Sequence, residues 1–135
     1  MSDKQINYAT DRRYAESHEW AKVEGDLVVV GVSDYAQDQL GDVVFVELPA
    51  VGTAVQAGKA FGVVESVKAA SDVFAPISGK VEAVNSALKD APETVNTDAN
   101  GAGWFIKIRP TNPADVNKLL DAATYKSKIE SGAIH

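Results

Sequence analysis

The sequence predicts a single, mostly β domain with one short internal helix and a second helix near its C-terminus. Three observations carry this. Short β-branched or alternating runs recur between Trp20 and Ile108, Gly and Pro punctuate them at the spacing of a sandwich or barrel, and Asn112-Pro113 opens a stretch of helical periodicity. A chain of 135 residues with 45% hydrophobic and 24% charged residues can bury one ordinary core without staples.

Residues 1–13 are polar and are expected to form a flexible leading segment. Trp20–Val23 alternates, Glu24-Gly25-Asp26 breaks, and Leu27–Val32 is apolar and β-branched, so two strands flank a turn. Ser33-Asp34 offers an N-cap for a short helix over Tyr35–Leu40, which Gly41 can close. Asp42–Leu48 alternates again, with Val44, Val46 and Leu48 on one face and Val43, Phe45 and Glu47 on the other, until Pro49 ends it. From Pro49 to Pro110 the chain reads as short β segments broken at Gly52, Gly58, Pro76, Gly79 and Pro92. Pro49-Ala50-Val51-Gly52 is echoed by Pro76-Ile77-Ser78-Gly79, a faint sign of two halves, and Trp104–Ile108 supplies a final strand. Asn112 then caps a helix with Pro113 at its first position. That helix, about 113–124, should lay Val116, Leu119, Leu120 and Ala123 on the sheet. The domain is therefore drawn over 14–126, with 127–135 as a loosely held tail.

Composition excludes several functions. Cysteine is absent, which removes disulfides, thiolate metal sites and thiol nucleophiles. A net charge of −6 would repel nucleic acid and an anionic membrane surface, and no apolar run approaches a membrane span. The leading residues lack an apolar signal core and the acid-poor, Arg-rich pattern of a transit peptide. The expected location is the cytoplasm.

Reactive groups are sparse. The two histidines are His18 and His135, no Gly-rich phosphate loop opens a helix, no His pair has zinc spacing, and no Gly-x-Ser-x-Gly elbow supports a hydrolase built on His18. A carboxylate pair among 19 acidic residues remains conceivable, as does an unmodified β-sandwich interaction module. The informative segment is Phe61–Pro76. Two apolar runs flank the small, polar-leaning centre Glu65–Asp72, which reads as a hairpin presenting Lys68 between small neighbours. By itself this leaves Lys68 as one solvated lysine among ten.

The string VESVKAASDVFAPISGKV resembles the lipoylation hairpin of glycine cleavage H proteins, with Lys68 on the modified lysine of that family. Ser17-His18-Glu19-Trp20, Gly31–Gln37, Leu40–Pro49 and Gly103–Ile108 are similar to further blocks of the family in the same order, so the resemblance covers roughly 14–125. Sister families differ. Biotin carriers set their lysine between methionines, and dehydrogenase-complex lipoyl domains usually show Asp-Lys-Ala, whereas Val67 and Ala69 flank Lys68. One departure is Asp98–Ala102, which replaces a more usual tyrosine-bearing loop.

The resemblance implies a barrel-sandwich hybrid of two β-sheets, like lipoyl and biotinyl domains, and a non-catalytic carrier with lipoate amide-linked to Lys68. Glu65, Ser66, Val67 and Ala69 would shape the hairpin and help a lipoate ligase or a lipoyl/octanoyl transferase find it. The implied partners are a pyridoxal-phosphate glycine decarboxylase (P-protein), a folate-dependent aminomethyltransferase (T-protein) and a dihydrolipoamide dehydrogenase (L-protein), visited by a monomer. Ser17, Glu19 and Asp72 match positions that line the cleft where the family parks its arm, and their oxygens can accept from a cation. The competing reading makes Ser17 and Glu19 ordinary surface residues and Asp72 a turn former. His18 is expected to be structural or at the rim, and Trp20 and Trp104 to be core.

Overall fold

The structure, a computed structural model, describes residues 5–134. Among these, nine strands form two antiparallel sheets. They are β1 (Arg13–Tyr14), β2 (Glu19–Glu24), β3 (Leu27–Val32), β4 (Val43–Glu47), β5 (Ala54–Val55), β6 (Ala60–Ser66), β7 (Ala70–Phe74), β8 (Gly79–Val84) and β9 (Ile106–Pro110). The larger sheet runs β1-β2-β3-β9-β8-β5 and the smaller β4-β6-β7. Helices α1 (Asp34–Leu40), α2 (Ala87–Asp90), α3 (Thr94–Thr97) and α4 (Ala122–Glu130) join them, with a 3-10 helix over Pro113–Lys118. This is the mainly β, barrel-sandwich architecture that the sequence led to.

Two buried layers explain why Leu27–Val32 reads as a continuous apolar run rather than an alternating one. Val28, Val30 and Val32 enter the main core with Val46, Val64 and Val73 of the smaller sheet. Val29 enters a second cluster with Tyr14, Trp20, Ala122 and Tyr125, which α4 covers. Gly31 is opposite Trp20 in the β2–β3 register. A Cβ there would come within 2.6 Å of the indole, so the bare backbone makes room for the ring.

Several elements differ from the sequence expectation. In β4 a bulge between Val43 and Phe45 breaks the alternation: Val43 and Val46 are buried, while Val44 and Phe45 are exposed. Residues 87–97 form the turns of α2 and α3 rather than strand. The Pro49–Gly52 echo is not a structural repeat, because Gly52 adopts φ 95° while Gly79 opens β8. The helix expected over 113–124 is divided. Asn112 Oδ1 caps the 3-10 helix, but Leu119 is extended and Leu120 exchanges backbone bonds with Tyr14 (2.7 and 2.9 Å). Asp121 then caps α4, accepting from Thr124 N–H at 2.8 Å. Residues 127–130 consequently belong to α4 rather than to a tail, and Ala122 and Tyr125 are its buried residues, whereas Ala123 is exposed. At the other end, residues 5–13 are tied down: Asn7 N–H donates to Asp34, Tyr8 meets Tyr125 edge-on, and the buried Arg12 guanidinium lies over Trp20 and donates to Asn100 O. The remainder of the leading segment, 1–4, and His135 lie outside the described residues.

Candidate functional site

Lys68 sits exposed at the bend between β6 and β7. One hydroxyl organises that bend. Ser66 Oγ accepts from Lys68 N–H and Ala69 N–H (both 3.2 Å) and donates to Ala69 O at 3.2 Å, while Ser66 N–H reaches the same carbonyl at 2.8 Å. Val67 N–H donates to Asp42 O at 3.0 Å, tying the bend to the chain between α1 and β4. The Lys68 ammonium donates to Gln39 O at 2.9 Å, on the carbonyl-rich C-terminal turn of α1. Gly41 closes that helix with φ 76°, and a Cβ there would stand 3.1 Å from Lys68 Cε. Glu65 pairs with Ala70 across the hairpin and is exposed, as are Ala69 and Val67, the last 68% exposed.

Beside the hairpin lies a cleft of ≈ 190 Å³ whose lining includes Ser17, His18, Glu19, Gln39, Leu40 and Asp72. Its walls are α1, β7 and the Ser17–Glu19 turn, with apolar Val32, Val64 and Val73 between them and the three expected polar residues together. A larger groove, ≈ 570 Å³, runs between residues 5–10 and α4, and none of its lining residues belongs to the hairpin.

Glu19 departs from the surface reading. It is 2% exposed, held by Phe74 N–H to Oε2 at 3.0 Å and by a short hydrogen bond with the Ser17 hydroxyl. Burial pushes its carboxyl up from 4.5 to about 7, against the opposing pull of those two donors. Ser17 and Asp72 are exposed, so the cleft presents one buried and one solvated carboxylate. His18 is half-buried on the rim and has φ 84°, a left-handed backbone that a non-glycine residue adopts only under constraint. The constraint is a tight turn: His18 N–H donates to Ala15 O at 3.0 Å, Ala15 N–H to Glu19 O at 2.8 Å, and Ser33 N–H to His18 O at 2.8 Å. Its Nδ1 lies 2.7 Å from Tyr125 Oη.

Trp20 is core, 1% exposed, with Nε1–H donating to Ala99 O at 3.1 Å. Trp104 is half-buried against the second cluster, under the Lys107 ammonium. The Asp98–Ala102 loop holds itself together, with Ala102 N–H and Gly103 N–H donating to Asp98. Gln39, Leu40 and Tyr125 were not singled out in the sequence. Gln39 and Leu40 fall within the helix expected over Tyr35–Leu40, whereas Tyr125 lies beyond the helix expected to end at 124. Among the described residues no cluster of His, Cys, Asp and Glu could hold a metal ion, and no helix is long and apolar enough to cross a membrane.

A family model described as the glycine cleavage H-protein matches residues 12–132. The chain belongs to this family. It is thus a lipoyl-carrier protein of the glycine cleavage system, a carrier subunit rather than an enzyme. A glycine cleavage system H protein from Anaeromyxobacter sp. (strain K) is 58% identical over 120 residues, spanning 89% of this chain and 94% of its own length. One from Acinetobacter baumannii (strain AYE) is 55% identical over 124 residues, 92% of this chain and 100% of the relative. The crystal structure of a glycine cleavage system H protein from Mycobacterium marinum superposes with a TM-score of 0.83 at 43% identity, covering 90% of this chain and 98% of that one.

Proposed function

We propose that this H-protein family member carries lipoate as an amide on Lys68. On that arm it takes the aminomethyl group of glycine from the P-protein decarboxylase to the T-protein aminomethyltransferase, and the L-protein dehydrogenase reoxidises it. Family membership is the ground for naming these enzymes, and for assigning attachment to a lipoate ligase or a lipoyl/octanoyl transferase. The observation that carries the choice of residue is an exposed lysine on a braced strand-to-strand bend, beside a cleft with apolar walls and a polar end. We place the protein in the cytoplasm as a monomer.

The residues present suit such a group. Val32, Leu40, Val64 and Val73 offer an apolar path, and Ser17, Glu19 and Asp72 offer acceptors for a cation at its end. Lipoate supplies a strained disulfide ring on a long tether, which opens to two thiols. Attachment replaces one N–H bond of the ε-amine by an amide bond, the proton passing to a base on the attaching enzyme and the activating group leaving the lipoyl carbonyl. The amide nitrogen keeps one hydrogen, so Nζ retains a donor for Gln39 O while the positive charge is lost. Ser66 holds the bend open to the enzyme, and the small Ala69 and Ala70 leave room for its approach. Exposed Glu65 and Val67 are the side chains an attaching enzyme would meet first.

Intact-mass spectrometry after co-expression with a lipoate ligase tests this. One lipoyl addition is expected, absent from Lys68→Arg, which keeps the charge but offers no amine. An unchanged wild-type mass beside a ligase that modifies a control substrate would overturn the assignment.

A further inference from the structure

Two of the cleft's walls, the Ser17–Glu19 turn and α1, come from different parts of the chain, and α4 joins them from behind. Tyr125, on α4, is fully buried. Its hydroxyl lies 2.7 Å from His18 Nδ1 and 2.7 Å from Ser33 Oγ. His18 lines the cleft, and Ser33 is the N-cap of α1, accepting from Ala36 N–H at 3.0 Å. The proton count allows this chain to run in either direction. Ser33 can donate to Tyr125 and Tyr125 to His18, or His18 to Tyr125 and Tyr125 to Ser33, with Ala36 N–H served in both. The ring has little freedom to leave, being stacked on Tyr14 with centroids 4.4 Å apart and met edge-on by Tyr8 at 5.9 Å.

We propose that Tyr125 is the positioning residue of the arm cleft: its hydroxyl ties the His18 wall to the cap of α1 and so fixes the shape into which the arm docks. This rests on the carrier reading for its purpose but not for its geometry. A last helix lying on the back of the larger sheet needs only apolar contact to hold its place. A buried hydroxyl aimed at a strained turn and a helix cap does a different job, since leaving it unpaired would cost stability. The backbone bonds of the turn set His18 at φ 84°, and the tie fixes where its ring stands on the rim beside Glu19.

The test uses Tyr125→Phe, which keeps the ring and removes the tie. In the unmodified chain, amide hydrogen exchange should accelerate about five-fold at Ala36 N–H, which donates to Ser33, and at Phe74 N–H, which donates to Glu19, the factor that one hydrogen bond's usual net contribution implies. Val81 N–H, bonded to Thr53 O at 2.9 Å away from the cleft, should keep its wild-type rate. In the lipoylated chain, the arm's disulfide should react faster with a phosphine reductant, whereas Val55→Ala, destabilised at the far edge of the larger sheet, should react as wild type does. Equal acceleration at all three amides would reduce Tyr125 to a general stabiliser. Faster exchange with unchanged arm reactivity would sink the link to docking. Should Tyr125→Phe fail to fold, His18→Asn, which tolerates a left-handed backbone, removes the other end of the tie with the same expectations. A wild-type chain that acquires no lipoyl mass would instead defeat the carrier reading and leave the exchange result standing.

Discussion

Replacing Glu19 with glutamine is expected to remove a pH dependence that this one side chain imposes on the fold. Glu19 is 2% exposed, and burial raises its carboxyl from 4.5 to about 7. Between those values the folded chain holds a proton that the unfolded chain has released, so unfolding becomes easier as pH rises. The contribution is complete below the unfolded value and is lost as pH climbs through the folded one. At 1.36 kcal/mol per unit, the displacement corresponds to about 3 kcal/mol between pH 4 and pH 8. Glutamine keeps the shape and both partners: its carbonyl accepts from Phe74 N–H and its amide donates to Ser17 Oγ. It cannot ionise.

Urea unfolding of both proteins at pH 4, 6 and 8 isolates the effect, because every other titrating group cancels in the difference. Wild type minus Glu19→Gln should fall by about 3 kcal/mol across the series, leaving the variant more stable at pH 8. A difference that stays level, or that grows with pH, would refute the claim that burial dominates over the two hydrogen bonds at this carboxyl.

Two further predictions concern the framework around the site. Ser66→Ala leaves Lys68 N–H and Ala69 N–H without their shared acceptor; it should destabilise the fold by about 1 kcal/mol in urea unfolding and slow attachment by a lipoate ligase, measured as the rate of mass gain. Gly31→Ala drives a methyl to within 2.6 Å of the Trp20 indole and should cost about 1–3 kcal/mol, with a shift in tryptophan emission as the ring yields.

The hairpin and the first helix were legible because their signals are local. Ser33 and Gly41 cap α1 by chemistry that the letters alone announce, and small residues at a β-turn need no distant partner. The polar end of the cleft was legible only through resemblance. Ser17 and Glu19 stand more than fifty positions from Asp72, and nothing in composition brings them together. The misread elements share one physical cause, a tertiary contact that overrides a local pattern. Leu120 pairs with Tyr14 and interrupts a helix that periodicity alone would continue to residue 124. Asn96 does comparable work in a segment that reads as β: its side chain accepts from Val43 N–H and donates to Gly41 O and Gln37 Oε1, fastening α3 beneath the turn that meets Lys68. Tyr125 was missed for the same reason, since a helix ended at 124 has no place for it.

Glu19 also sets two demands of this cleft against each other. A buried carboxylate that resists ionisation weakens the fold above neutral pH, and a hydrophobic or amide side chain at that depth would not. Glutamine, however, could offer a cation only a dipole. Once a positive group enters beside Ser17 and Asp72, its charge favours the ionised form of Glu19 and draws the carboxyl back down, so the proton leaves as the cation arrives. Binding of a cation in this cleft is therefore linked to release of a proton from Glu19 at pH values below about 7, and the grip strengthens as pH rises to that point. On the carrier role proposed above, the carboxyl that costs the fold stability above neutral pH would be the group that grips a charged arm more firmly as pH rises, which glutamine could not do.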